Sequence, residues 1–215
     1  MKTKRILCVA CALILSACAL FCTTSCAGRA PTTAEIYDRV VELVEGAYEV
    51  NTVFYGAGLP VHATDSEYAE IMHIYYDFSQ KGTYEMVTDK AIFLTSIEIK
   101  AAAEKVYSKD YLEDVIYPAL FTGYAISDAS GRPYFSNARY LEDKSWIYQY
   151  TGEKVTEATR WIYDYSTMKV VKPSSGTLCF VELQCYPAGS PEQAHVRKLS
   201  LVLQDGEWYL DSFTG

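Results

Sequence analysis

The sequence predicts an α+β domain in which N-terminal helices pack on a bent C-terminal antiparallel sheet. Apolar residues recur at helical spacing between Ile36 and Ala119, and from Gly123 onward the spacing changes to two. Helices followed by a run of strands are typical of this class. Half of the 215 residues are hydrophobic and 21% are charged, which is the composition of a folded chain and excludes an intrinsically disordered one.

The first 26 residues are predicted to be an export signal. Residues 1–5 contain three basic side chains, and residues 6–21 are apolar apart from Ser16, in the order of a secretory signal. The apolar run is shorter than the roughly 20 residues that a membrane-spanning helix needs, and no comparable run follows. We therefore expect an exported mature protein without a transmembrane helix.

The end of this signal resembles the lipobox of bacterial lipoproteins, in which a small residue precedes a cysteine that is acylated and becomes the new N-terminus. Two cysteines fit. Cys18 ends the more faithful motif, Leu-Ser-Ala-Cys, whereas Cys26 lies where the apolar run gives way to polar residues. Either would anchor the protein at the outer face of the bacterial cytoplasmic membrane. The alternative is an ordinary secretory signal, cut near Ala27 or Ala30.

The chain is thus expected to comprise a signal peptide at 1–25, a polar tether at 26–32 and a single α+β domain at 33–215. Loss of the signal, which carries three basic and no acidic side chains, deepens the net charge from −8 to −11. Binding to nucleic acid depends mainly on basic groups that displace counterions from phosphates. We therefore expect no nucleic-acid partner, and membrane attachment through lipid alone.

Capping-box spacings or N-cap residues predict four helix starts in the N-terminal half. They begin at Thr32, at Thr64 with a short helix toward Tyr76, at Thr95 and at Ser108. Between the first two, the glycine-containing loop 55–60 predicts a turn. Pro118 is predicted to kink or end the fourth helix near Tyr117. A short strand is predicted at 83–87.

The C-terminal half predicts a series of short strands. Their expected ranges are 134–141, 145–150, 159–171, 177–186, 195–204 and 207–213. The last two flank Asp205-Gly206, a dipeptide typical of a type I′ hairpin turn. Leu201 and Leu210 belong to the apolar face of this hairpin.

Helices followed by a sheet that ends in Leu-Val-Leu-Gln-Asp-Gly-Glu-Trp-Tyr-Leu-Asp, residues 201–211, resemble the nuclear transport factor 2-like, or cystatin-like, superfamily. The resemblance covers residues 95–213 and implies a cone-shaped fold. It concerns the order of elements and one hairpin, so it implies no particular activity. A weaker likeness, in export, early helix and later sheet, is to secreted inhibitors of cell-wall DL-endopeptidases.

A duplicated aromatic motif is the most distinctive feature of the chain. Alternate residues of a strand share a face, so each copy, Trp-Ile-Tyr-Gln-Tyr and Trp-Ile-Tyr-Asp-Tyr, places three rings together. If the two strands pair, six rings line one surface: Trp146, Tyr148, Tyr150, Trp161, Tyr163 and Tyr165. One interpretation is a packed sheet face beneath the helices. The other is a platform that binds a sugar, a peptide or an apolar ligand.

The residues that could support catalysis or metal binding are sparse. Cys179 and Cys185 lie on one face of a predicted strand, too far apart for a disulfide, and are expected to be buried thiols. No histidine has a partner at metal-ligand spacing, and no nucleophile motif is present in the sequence. We therefore expect no catalytic residue, no metal and no cofactor.

These patterns predict a non-catalytic binding or interaction lipoprotein of the cell envelope. Its expected partner is an envelope protein, a peptidoglycan fragment or a small apolar or sugar ligand. Two alternatives stay open. One is a secreted inhibitor of a cell-wall endopeptidase, and the other is an enzyme with an Asp/His/Tyr site in a cone-shaped cavity, for which His62, Tyr55 and Asp77 are the candidates.

Overall fold

The computed structural model describes residues 28–62, 84–127, 133–136, 138–143, 146–151 and 160–214. Over these residues the chain is α+β, with few helices and with all its strands in antiparallel pairs. The helices are α1 (Thr33–Phe54), α2 (Ser96–Ala103) and the short α3 (Lys109–Tyr111). The strands are β1 (Tyr84–Met86), β2 (Tyr124–Ser127), β3 (Pro133–Ser136), β4 (Tyr140–Asp143), β5 (Trp146–Tyr150), β6 (Trp161–Val171), β7 (Leu178–Pro187), β8 (His195–Gln204) and β9 (Glu207–Leu210).

Helix α1 begins where the capping box predicts. The Thr32 hydroxyl accepts from the Glu35 backbone N–H, and the Glu35 carboxylate accepts from the Thr32 N–H at 2.7 Å. One face of the helix is fully buried, at positions that repeat with helical spacing, including Val40, Leu43 and Ala47. This face packs against β6 and β9 and forms one half of the main core.

The large sheet has the order β6-β7-β8-β9 and supplies the other half of the core. Its inward face carries Val181, Leu199 and Leu201, each completely buried. The predicted hairpin is confirmed. Asp205 and Gly206 both have positive φ, at 51° and 88°, and Gln204 pairs with Glu207, as a type I′ turn requires.

A smaller sheet has the order β1-β5-β4, and β2 pairs with β3 in a separate hairpin. The predicted single sheet is therefore divided. The pairing of β5 with β6, on which the six-ring surface depended, does not occur, because a strand has two edges and those of β5 are occupied by β1 and β4. The two copies of the aromatic motif consequently lie in different sheets.

The helical segment that starts at Ser108 continues further than predicted. After α3, residues Leu112–Ile116 and Pro118–Thr122 form π turns, and Gly123, with φ of 78°, ends the segment. Of the two predicted effects of Pro118, a kink or an end near Tyr117, the end does not occur. The wider π turn relieves the clash that a proline ring makes with the preceding turn, so Pro118 is accommodated within the helical path.

Some of the remaining predictions concern residues that the structure describes, and others do not. The turn at 55–60 and the N-caps at Thr95 and Ser108 are confirmed. The helix predicted from Thr64, together with His73 and Asp77, lies outside the described residues. Among the helices that the structure describes, none is long and apolar enough to cross a membrane.

Candidate functional site

The first copy of the aromatic motif is mostly packed. In β5, Tyr148 is 5% exposed and lies in a small cluster with Met86, while the Tyr150 ring lies 5.4 Å from that of Tyr84. Trp146, at the start of the strand, is 49% exposed. Tyr148 therefore contributes to the packing of the small sheet, and of these three rings Trp146 presents the most surface.

The second copy, in β6, lies on the helix-facing side of the large sheet. The Tyr165 hydroxyl donates to the Glu45 carboxylate of α1 at 2.7 Å, and the Tyr163 hydroxyl donates to the backbone carbonyl of Thr214. Burial raises the pKa of both phenols, that of Tyr163 to about 12, so both act as hydrogen-bond donors at neutral pH. These two tyrosines attach β6 to the helix and to the C-terminal segment.

Trp161 begins β6 and is surrounded by polar groups. The Arg197 guanidinium lies 4.7 Å above its ring, and the His195 ring meets it edge-on with centroids 5.2 Å apart. The register explains this arrangement, because Cys185 of β7 pairs with Tyr163 on one side and with His195 on the other. We call Trp161, Tyr163, His195 and Arg197 the ring corner.

The ring corner is electropositive in an otherwise acidic chain. Arg197 donates to the Tyr163 hydroxyl over a long 3.4 Å, and Arg160 lies 4.8 Å above the ring of Tyr48. Within the part of the chain that the structure describes, neither arginine forms an ion pair with a carboxylate. Among the described residues, Tyr163 is the acceptor for the Arg197 guanidinium, so most of its N–H donors have no acceptor within that part of the chain.

A buried polar network lies next to the ring corner and contacts it through Thr214. Asn51 of α1 donates to the Thr214 hydroxyl at 2.8 Å and accepts from the Tyr107 hydroxyl at 2.6 Å. The backbone carbonyl of Thr214 in turn accepts from the Tyr163 hydroxyl. Because Asn51 and Thr214 are buried and paired, the C-terminal segment is fixed beside the corner.

A second concave region lies between the helical segment and the β8-β9 hairpin. This hairpin cavity has a volume of about 330 Å³. Its lining residues are Glu104, Tyr107, Lys109, Leu112, Glu113, Tyr117, Gln204, Asp205 and Tyr209. The Tyr117 hydroxyl donates to Glu104 at 3.3 Å, and Lys109 lies 3.8 Å from Glu113. Three carboxylates against one ammonium group make the hairpin cavity acidic.

Both cysteines of the folded domain are buried free thiols, as predicted. Burial raises the pKa of Cys179 to about 11 and also raises that of Cys185, whose Sγ lies 3.7 Å from the Nε2 of His195. The described residues contain no group of three or more His, Cys, Asp or Glu side chains that could hold a metal ion. His62 follows Val61, which bridges to Val87, and its backbone N–H donates to the Met86 carbonyl at 2.9 Å.

Sequence reasoning found Trp161 and Tyr163 but missed their polar partners. The signal was present in β8, where His195 and Arg197 continue the alternation that places Leu199 in the core. A cationic residue on an otherwise apolar face is unusual, because burial of an unpaired charge is costly. No sequence pattern indicated the hairpin cavity, since its two walls are far apart in sequence.

The chain was compared with known families, proteins and structures. No family model matches it, and no significant match occurs among curated proteins or solved structures.

Proposed function

We propose that this protein is an exported, lipid-anchored binding protein of the bacterial cell envelope, which binds an anionic ligand at the ring corner. The observation that carries the proposal is the Arg197 guanidinium, held 4.7 Å above the Trp161 ring without a carboxylate partner among the described residues. A stacked guanidinium offers a rigid fork of donors that suits a carboxylate or a phosphate. Residues 1–26 support the export and the anchor.

The chemistry of the ring corner favours a ligand that has both a ring that can stack on an aromatic side chain and a carboxylate. Trp161 supplies an aromatic surface for stacking, and Arg197 supplies the cation beside it. Peptidoglycan fragments combine these features, because they carry sugar rings and carboxylate groups. They are also abundant at the outer face of the cytoplasmic membrane, where the anchor would place the protein.

The resemblance to cone-shaped folds agrees with this location. We infer a variant of the cystatin-like architecture, in which α1 covers most of the inward face of the large sheet. The support is the packing of α1 against β6 and β9, together with the position of the ring corner at the end of the large sheet where β6 begins. An open end of a cone is a common place for a ligand.

Binding of soluble muropeptides to the full chain is the test of this proposal. Arg197→Gln is expected to weaken binding roughly ten- to hundredfold, since a hydrogen bond to a charged group contributes about 1.5–3 kcal/mol. Isothermal titration calorimetry measures the dissociation constants. Lys198→Gln is the matched control, because Lys198 is the neighbouring residue on the opposite face of β8, where it lies 4.2 Å from the Phe180 ring.

Two outcomes would contradict this assignment. Equal losses in the Arg197 and Lys198 variants would indicate a general charge effect. Equal binding of muropeptides and of uncharged N-acetylglucosamine oligomers would show that no anion is recognised.

The anchor is tested by replacing the candidate lipobox cysteines with alanine. Wild-type protein is expected in the membrane fraction, and the single variants of Cys18 and Cys26 are expected to identify the acylated residue. In the double variant no acyl group should be detected by mass spectrometry of the purified protein, because no other lipid attachment is proposed. Absence of an acyl group from the mature wild-type protein would refute the lipoprotein assignment.

A further inference from the structure

We propose that the hairpin cavity is a separate binding site for a small organic ammonium ion. This cavity is formed by residues 104–117 on one wall and by the β8-β9 hairpin on the other. Its volume of about 330 Å³ is at the lower end of the range of ligand pockets, which suits a small molecule rather than a protein segment.

The charge of the lining favours a cation. Glu104, Glu113 and Asp205 line the cavity with Lys109 as the only lining cation, and Lys109 is already paired with Glu113. Glu104 accepts from the Tyr117 hydroxyl and has no basic partner among the described residues. A positively charged ligand would therefore find at least one carboxylate that is not already neutralised.

The lining rings favour an organic cation over a metal ion. Tyr117 and Tyr209 both line the cavity, and each ring already lies near a cationic side chain of the protein. Lys100 lies 5.3 Å from the Tyr117 centroid, and Arg39 lies 5.3 Å from that of Tyr209. Ring faces that attract ammonium and guanidinium groups are also suited to alkylammonium ligands. No described cluster has the ligand set of a metal site.

The charged groups near the cavity leave its acidic character intact. Arg39 is held by Glu42 at 2.9 Å and by Glu207 at 3.7 Å, so its charge is already compensated. Lys100 lies over Tyr117 and Phe121 and is not part of the lining. Burial, with Glu104 and Glu113, raises the pKa of Tyr117, consistent with a negative potential in the cavity.

The backbone at this site is itself unusual. The Tyr117 N–H donates to the Leu112 carbonyl, five residues earlier, and the Gly123 N–H donates to Pro118 in the same way. π turns of this kind are rare and are frequently found at functional sites. Here the two π turns lie on either side of Tyr117, the ring that contacts both Glu104 and the cavity.

The test uses choline and its neutral isostere 3,3-dimethylbutan-1-ol, titrated into the full chain and followed by ligand-observed NMR. Choline is expected to bind at least tenfold more tightly than the alcohol. Glu104→Gln should weaken choline binding tenfold or more, and Asp114→Asn, an exposed carboxylate on the same segment outside the lining, should leave it within twofold. Tyr117→Leu should abolish binding, whereas Tyr117→Phe, which keeps the ring, should retain it.

Circular dichroism and thermal unfolding check that each variant is folded, so the result at the hairpin cavity does not depend on whether the ring corner binds muropeptides. Equal binding of choline and the alcohol would overturn the proposal, as would equal losses in the Glu104 and Asp114 variants. Absence of choline binding to the folded wild-type protein would overturn it as well.

Discussion

Replacing Gly58 with alanine is expected to lower the free energy of unfolding by about 2–4 kcal/mol. Gly58 has φ of 80°, a conformation that an L-residue adopts only at a cost of about 1–2 kcal/mol. An added Cβ would also overlap the side-chain amide of Gln149, with its Cδ only 2.6 Å away. Urea denaturation measures the loss.

The second part of this cost comes from the bonds that Gln149 makes. Its side-chain oxygen accepts from the Leu59 N–H at 2.6 Å and from the Tyr140 hydroxyl at 3.0 Å. Because Gln149 is buried, moving the amide away leaves the Leu59 N–H without its acceptor, at about 1–3 kcal/mol, whereas the Tyr140 hydroxyl keeps the Val53 carbonyl as a partner. These bonds attach the small sheet to the turn that follows α1.

Gly189→Ala is the matched control for this experiment. Gly189 has φ of 86°, but a Cβ there meets nothing within 4 Å. Only the conformational cost applies, so a loss of about 1 kcal/mol is expected. Equal losses in the two variants would show that the contact with Gln149 contributes nothing.

The Asn51→Leu variant is expected to lose about 2–4 kcal/mol of stability, because two buried partners lose their bonds. The Tyr107 hydroxyl would lose the Asn51 oxygen that accepts from it, and the Thr214 hydroxyl would lose the amide that donates to it. Thermal and urea denaturation measure the loss. The same variant should weaken muropeptide binding severalfold, since Thr214 also accepts the hydroxyl of Tyr163.

A double variant separates these bonds from lost packing. Adding Tyr107→Phe to Asn51→Leu removes the Tyr107 hydroxyl, one of the two groups that lose a hydrogen bond in the single variant. About 1 kcal/mol of stability should therefore return. Further destabilisation by the second substitution would mean that the hydroxyl pair is not what Asn51 stabilises.

Features set by neighbouring residues were predictable from the sequence. The capping box at Thr32 and Glu35 predicts the start of α1, and Asp205-Gly206 predicts the closing turn, because both depend on contacts within four residues. The same holds for Cys179 and Cys185, whose burial follows from alternation along β7.

Features set by tertiary contacts were not predictable. The aromatic motif of β5 gives no indication that β1 and β4 occupy both its edges, which leaves no edge for β6. The stacking of Arg197 on Trp161 depends on the register across three strands. The hairpin cavity joins Glu104 to Tyr209, residues that meet only because the segment before Ser108 pairs with the end of β9.

The tryptophan side chains offer the most direct test of the central claim, that the ring corner binds an anionic envelope ligand. Trp146, Trp161 and Trp208 lie in three different places, so their indole N–H signals in a two-dimensional NMR spectrum report on each place separately. On titration with muropeptides, the signals of Trp161 and of the His195 ring are expected to shift, while those of Trp146 and Trp208 stay in place. Shifts confined to Trp146, or no shift at saturating ligand, would contradict the assignment of the site.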